Sequence, residues 1–152
     1  MKSRKFYQER AKDNLFIAYK PDPIEDVLIR TSKEASNFLK SYFVDCIDHY
    51  ERFVIVLMNR KNKVIGVRTI SEGGLNACIV DVRIIMQYSI LFNASCLLLS
   101  HNHPSGITNP SNEDIKITEK IKAACKILEI ELRDHVIVSS DSYYSFANEG
   151  MI

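Results

Sequence analysis

The chain has 152 residues, 46% of them apolar and 26% charged, and its 20 Lys and Arg against 19 Asp and Glu give a formal net charge of +1. This length allows one domain with a core of its own, and no apolar run approaches the roughly 20 residues that cross a bilayer, so a soluble globular protein is expected. Near-neutrality excludes a whole-chain electrostatic attraction to nucleic acid and leaves only local basic patches. The opening stretch MKSRKFYQERAKDN is basic without a following apolar segment. It does not read as a secretory signal, and the cytoplasm is the expected compartment. Cys46, Cys78, Cys96 and Cys125 lie far apart among apolar neighbours with no C-x-x-C pair. They read as reduced core thiols rather than as disulfides or zinc ligands.

In chain order, residues 1–30 mix charges with Pro21 and Pro23 and show little periodicity, which predicts an N-terminal arm or irregular cover. TSKEASNFLKSYFVDCIDHY follows, with capping-box spacing between Thr31 and Glu34 and apolar residues at helical intervals from Ala35 to Cys46. A helix over about 32–49 is predicted. RFVIVLMN and KVIGVRTI are β-rich runs separated by RKNK, where Asn59 and Asn62 can supply turn conformations, so they predict a hairpin. LNACIV, after Gly73 and Gly74, is a candidate third strand. DVRIIMQYSILFNA predicts a buried helix, and the short apolar run SCLLLS a central strand covered on both faces. SNEDIKITEKIKAACKILEI predicts an amphipathic helix with Ser111 as N-cap and a stripe of Ile117, Ile121, Ala124 and Leu128. ELRDHVIVS and SYYSFAN, separated by a polar turn, close the pattern as strands. The alternation predicts a single three-layer α/β domain with a central mixed sheet flanked by helices.

Between the central strand and the amphipathic helix lies LLLSHNHPSG, residues 97–106. On extended backbone, residues i and i+2 point to one side, so His101 and His103 aim both imidazoles at one spot. Pro104 and Gly106 then turn the chain, and Asp114 stands in the first turn of the next helix. Two imidazoles, one carboxylate and an open fourth position are the ligand set of a catalytic zinc site, whereas structural sites are closed by four ligands rich in cysteine. Each part also has a plainer reading: S-x-x-D from Ser111 to Asp114 is a helix N-terminus, and loop histidines serve as hydrogen-bonding groups. The conjunction favours the metal. A hydrolytic site also needs a carboxylate as proton acceptor.

H-x-H-P-S-G followed by P-S-x-x-D resembles the JAMM signature of JAB/MPN metalloproteases. The continuation AACKILEIELRDHVIVSSDSYYSFANEG is similar to the RadC branch of that superfamily. The resemblance covers roughly residues 30–152, so residues 31–152 are expected to form a RadC-like JAB/MPN domain. It implies a zinc-dependent hydrolase of a peptide, isopeptide or related amide bond, with a peptide or protein as substrate. One zinc ion, or another divalent metal, would be held by His101, His103 and Asp114. Ser111 would stabilise the reacting oxyanion, and the upstream glutamate acting as general base falls on Glu51 in HYERFVIVL, with Glu72 the competitor. Asn102 and Ser105 position substrate or order the turn, Gly106 permits a backbone conformation others resist, and Asp134-His135 ties strands rather than binding metal. Two departures stand out. The helix-hairpin-helix DNA-binding region that often precedes the domain in longer RadC proteins has no counterpart in the sequence, and IVDVRII matches the family's His-Pro-Arg-Glu-Val helix start at Arg83 alone.

The competing reading is a non-catalytic interaction module of the RadC type, associated with DNA repair or mobile DNA. A basic N-terminal arm favours it, and near-zero net charge weighs against DNA binding. A nucleobase deaminase is excluded, since the H-x-E and P-C-x-x-C pairing it needs is missing.

Overall fold

A computed structural model describes residues 26–73 and 79–152 in full, together with the backbone of two strands nearer the N-terminus. Those strands, β1 (Phe6–Ala11) and β2 (Asn14–Tyr19), pair antiparallel in a sheet of their own, with Phe6 opposite Tyr19. The hairpin falls within the expected N-terminal arm and gives part of it regular pairing.

The main sheet has five strands in the order β4-β3-β5-β6-β7: β3 Arg52–Met58, β4 Val64–Glu72, β5 Cys96–Asn102, β6 Glu131–Val138 and β7 Tyr143–Ser145. β5 runs antiparallel to β3 and parallel to β6, so the sheet is mixed. Among the described residues three helices cover it: α1 (Ser32–Lys40), α2 (Val82–Leu91) and α3 (Asn112–Ile127). The fold is the expected α/β architecture of helices on a central mixed sheet.

Side-chain alternation sorts the sheet into two faces. Val54, Val56, Met58, Cys96, Leu98, Val136 and Val138 pack with Leu39, Phe43 and Cys46 on the α1 side. Phe53, Ile55, Leu57, Leu97 and Leu99 pack with Ile85, Phe92, Ile121 and Cys125 on the side of α2 and α3. Every residue of β3 and β5 is buried, which is why both read as continuous apolar runs. This parity decides the site. His101 follows Leu97 and Leu99 onto the α3 face, and Asn102 turns to the α1 face.

Three expectations need correction. The helix predicted over 32–49 ends at Lys40, and residues 41–49 continue as tight turns in which Phe43, Cys46 and His49 donate to carbonyls three residues back. The physical reason lies outside the segment: the Arg52 guanidinium takes the Tyr42 carbonyl, and the Asn102 amide lies against the carbonyls of Cys46, Ile47 and Tyr50. Of LNACIV, residues 75–78 lie outside the described residues, while Ile79 and Val80 lead into α2 without strand pairing. In α3, Ile121 is fully buried and Ile117 and Ala124 partly, but Leu128 is the C-cap and leaves the stripe exposed; Thr118 and Cys125 complete the buried face.

The helix expected to be buried forms as α2 but buries one face only, through Ile85, Met86 and Ser89, and leaves Ile84 and Ile90 exposed. The other local signals hold. Thr31 and Glu34 form the capping box, and Asn62 takes a left-handed φ of 60° in the β3-β4 turn, where the Asn59 side chain accepts from the amides of Lys61 and Lys63. Cys46, Cys96 and Cys125 are buried free thiols, and burial pushes Cys125 up to about 11; Cys78 lies outside the described residues. Among the described residues no helix is long and apolar enough to cross a membrane.

Candidate metal centre

The C-terminal end of β5 and the N-terminus of α3 meet at one point. β5 delivers His101 on the α3 face, and His103 follows after the strand ends, its amide held by the Val138 carbonyl of β6 at 3.0 Å. A turn closed by Gly106 N–H on the His103 carbonyl at 3.0 Å then reverses the chain. Gly106 sits at φ 81°, in the left-handed region where a side chain is strained, so its role matches the expectation. The Ser105 hydroxyl accepts from the Ile107 amide at 3.4 Å and orders the same turn.

At the start of α3 the two readings of S-x-x-D turn out to be compatible. Ser111 is the N-cap: its hydroxyl accepts from the Asp114 amide at 3.1 Å and donates to Asp114 Oδ2 at 2.7 Å, and the Ser111 amide donates to that same oxygen at 2.7 Å. This leaves Asp114 Oδ1 to face His101 Nε2 at 3.1 Å, while Oδ2 also stands 3.5 Å from His103 Nε2. The two Nε2 atoms are 3.0 Å apart. Among the described residues, His101, His103 and Asp114 are the one group of three or more His, Cys, Asp or Glu side chains whose potential ligand atoms cluster in this way.

The donor set fits a metal ion. Tetrahedral ligation at about 2.0–2.2 Å separates ligand atoms by roughly 3.3–3.6 Å; the two Nε2 atoms at 3.0 Å fall just under that range, with one Asp114 oxygen 3.1 Å from His101 and the other 3.5 Å from His103. The proton inventory fits as well. His103 Nδ1 lies 2.7 Å from the Ile107 carbonyl, which can only accept, so the ring hydrogen is on Nδ1 and the Nε2 lone pair faces the cluster. The hydrogen bond to Asp114 raises the His103 pKa above its ordinary value, against the opposing effect of burial, with the Ile107 carbonyl and the negative charges of Asp114 and Glu51 adding to the rise. Burial opposes the charged form of Asp114, yet the two imidazoles beside it and the Ser111 hydroxyl hold the carboxyl far below the usual range.

The two candidate bases lie on opposite faces. Glu72 is the β4 partner of Arg52, and its Oε1 meets Arg52 Nε at 2.7 Å; the same guanidinium grips Asp45 through two bonds of 2.7 and 2.8 Å on the α1 side. Glu51 has the parity of Phe53, whose ring stacks on His101 with centroids 5.8 Å apart, and its charge reaches His103. Asn102 pins the backbone on both sides of Glu51. Its Oδ1 accepts from Arg52 N–H at 2.8 Å, and its amide donates to the Tyr50 carbonyl at 2.9 Å. Asn102 thus orders the site from beneath. It is fully buried on the face away from the histidines.

The Asp134-His135 pair divides its work. Asp134 accepts from the Ser145 hydroxyl and the Ala147 amide and so ties β6 to the segment after it, with burial raising its pKa against those hydrogen bonds. His135 does something the strand-tying expectation missed: its ring contacts His101 Nδ1 at 2.9 Å and Thr118 Oγ1 at 2.7 Å. A histidine of inward parity on the strand beside β5 was the available signal.

Residues 29–151 match the family model of the RadC-like JAB domain. The chain belongs to this family. Among its relatives, a UPF0758 protein of Flavobacterium johnsoniae is 40% identical over 131 residues, which cover 84% of this chain and 56% of the relative. UPF0758 proteins of Clostridium acetobutylicum and Porphyromonas gingivalis are 38% and 39% identical over 90% and 67% of this chain, and over 58% and 45% of their own lengths. This RadC-like JAB domain therefore spans about half the length of the curated relatives it matches, and its H-x-H-P-S-G loop carries the converging histidines.

Proposed function

We propose that this RadC-like JAB domain is a metal-dependent hydrolase of a peptide, isopeptide or related amide bond, with His101, His103 and Asp114 holding one zinc ion or another divalent ion. The observation that carries the reading is the convergence of two Nε2 atoms and a carboxylate within 3.0–3.5 Å, with Glu51 on the same face of the sheet. Two imidazoles and one carboxylate leave a coordination position for water or substrate, as catalytic zinc sites do. When bound, the ion supplies Lewis acidity toward the scissile carbonyl and acidifies water.

The protein's own residues supply the rest. Glu51 takes the proton of the attacking water and passes it to the leaving nitrogen, the work of a positioned carboxylate. Ser111 donates its hydroxyl hydrogen to the carbonyl oxygen as that oxygen gains charge. To do so it turns away from Asp114 Oδ2, which the Ser111 amide continues to hold at 2.7 Å. Losing that single hydrogen bond costs about 0.5–1.5 kcal/mol, small against what an oxyanion donor contributes. The ring of Phe53 covers His101 and keeps water from its buried side.

The test is Glu51→Gln, which keeps the shape and removes the basicity. Metal content should stay, while turnover of a quenched-fluorescent peptide and isopeptide library falls by about 10²-fold or more. No turnover by the metal-loaded wild-type protein, or equal turnover by the variant, would contradict the reading. Tight, salt-sensitive binding of duplex DNA that survives chelation would instead favour a non-catalytic module.

A further inference from the structure

We infer that His135 is a positioning residue that fixes His101 in the Nδ1–H tautomer, so that the Nε2 lone pair is presented to His103 and Asp114. The inference deepens the proposed metal site and rests on that reading for its functional meaning.

The chain of protons begins at a carbonyl. Thr118 Oγ1 lies 2.6 Å from the Asp114 carbonyl one helical turn earlier, and a carbonyl only accepts, so the single hydroxyl hydrogen of Thr118 is spent there. The same Oγ1 lies 2.7 Å from His135 Nδ1. With its hydrogen committed, the hydroxyl accepts, and His135 carries its hydrogen on Nδ1. The ring of His135 is fully buried, stacked on Phe146 at 4.8 Å and edge-on to Phe53 at 5.6 Å. The neighbouring Asp134 carboxylate bonds the His135 backbone amide rather than its ring. An imidazolium is costly in such a place, so the ring is neutral and its Nε2 holds a lone pair. His101 Nδ1 lies 2.9 Å from that Nε2, so His101 must donate. Its hydrogen is on Nδ1 and its Nε2 is bare.

The path closes on itself. It runs from the Asp114 backbone through Thr118, His135 and His101 to the Asp114 carboxylate, 3.1 Å from His101 Nε2. Of the three converging side chains, His101 is thus held from behind by the buried relay, Asp114 by the Ser111 amide and hydroxyl, and His103 by the Ile107 carbonyl. Ligating histidines generally give their second ring hydrogen to an oriented acceptor that fixes tautomer and ring angle. Here a second histidine fills that role, and a helix hydroxyl fixes its own tautomer in turn.

Nitrogen-15 NMR of the metal-free protein, with histidine labelled, reads each ring directly. His101 and His135 should both show the Nδ1–H tautomer. His135→Phe keeps an aromatic ring between Phe53 and Phe146 while removing both nitrogens; it should release His101 from that tautomer and weaken binding of zinc, titrated against a chromophoric chelator, by about 10- to 100-fold. Thr118→Val should shift both readouts in the same direction, and Thr118→Ser should restore them. If His101 keeps its Nδ1–H form in both His135→Phe and Thr118→Val, or if zinc affinity is unchanged in both, the inference is overturned. Should the wild-type protein bind no zinc while its tautomers are as assigned, the hydrolase reading fails and the relay stands.

Discussion

Replacing Asn102 with Ala tests whether the site is supported from the face opposite the histidines. The side chain is fully buried; its oxygen accepts from Arg52 N–H at 2.8 Å and its amide donates to the carbonyls of Cys46, Ile47 and Tyr50 at 3.1, 3.1 and 2.9 Å. The Cys46 carbonyl keeps partners, since the amides of His49 and Tyr50 also donate to it. The principal losses are therefore at Arg52 N–H and the carbonyls of Ile47 and Tyr50, the first and last of which flank Glu51. A buried polar group stripped of its partner costs about 1–3 kcal/mol, so the three together cost about 3–9 kcal/mol. For a chain of this length each kcal/mol lowers Tm by about 2–4 °C, which places the expected drop at about 10 °C or more. Differential scanning calorimetry reads it, and zinc titration alongside should show the cluster itself little changed. Asn102→Asp keeps the acceptor for Arg52 but sets a carboxylate against three carbonyls, and should be at least as destabilising. A drop under about 2 °C in both variants would refute the clamp.

Two further outcomes follow from the same geometry. Because the hydrogen bond to Asp114 raises the His103 pKa, a proton competes with the metal up to a higher pH than for an ordinary histidine; binding is at full strength above that pKa and falls by about tenfold per pH unit below it. Isothermal titration across this range should show the fall beginning above pH 6.5, and a flat profile down to pH 5 would contradict it. Glu72→Gln removes a half-exposed partner of Arg52, which Asp45 still grips, so stability should change by about 1 kcal/mol or less and metal binding not at all. Loss of metal in that variant, measured by elemental analysis, would show that the two faces of the sheet are not separate.

Much of this was legible in the sequence because it is local. The capping boxes at Thr31 and Ser111 depend on three-residue spacings, the hairpin on Asn59 and Asn62, and the face shared by His101 and His103 on strand alternation. The cluster of His101, His103 and Asp114 needed only one further step, that a short turn brings α3 back to the end of β5. What escaped was decided by partners distant in sequence. Nothing within residues 32–49 says that Asn102 and Arg52 will claim the carbonyls of the last turns, so the helix looked longer than it is. Leu128 continues the stripe of Ile121 and Ala124 on paper, but α3 stops at Ile127. His135 looked structural because its partner Thr118 is an ordinary helical threonine, and its contact with His101 exists only once β5 and β6 pair. The choice between Glu51 and Glu72 likewise turns on sheet faces, since Arg52 holds Glu72 on the side away from the histidines.

The central claim is that His101, His103 and Asp114 hold a metal ion, and elemental analysis of the protein purified without added metal tests it most directly. The account predicts about one zinc or other divalent ion per chain, lost together when His101 and His103 are both replaced by Ala in a protein that remains folded. Metal-free wild-type protein that takes up no ion on dialysis against zinc would contradict it, as would full retention of metal by the double variant.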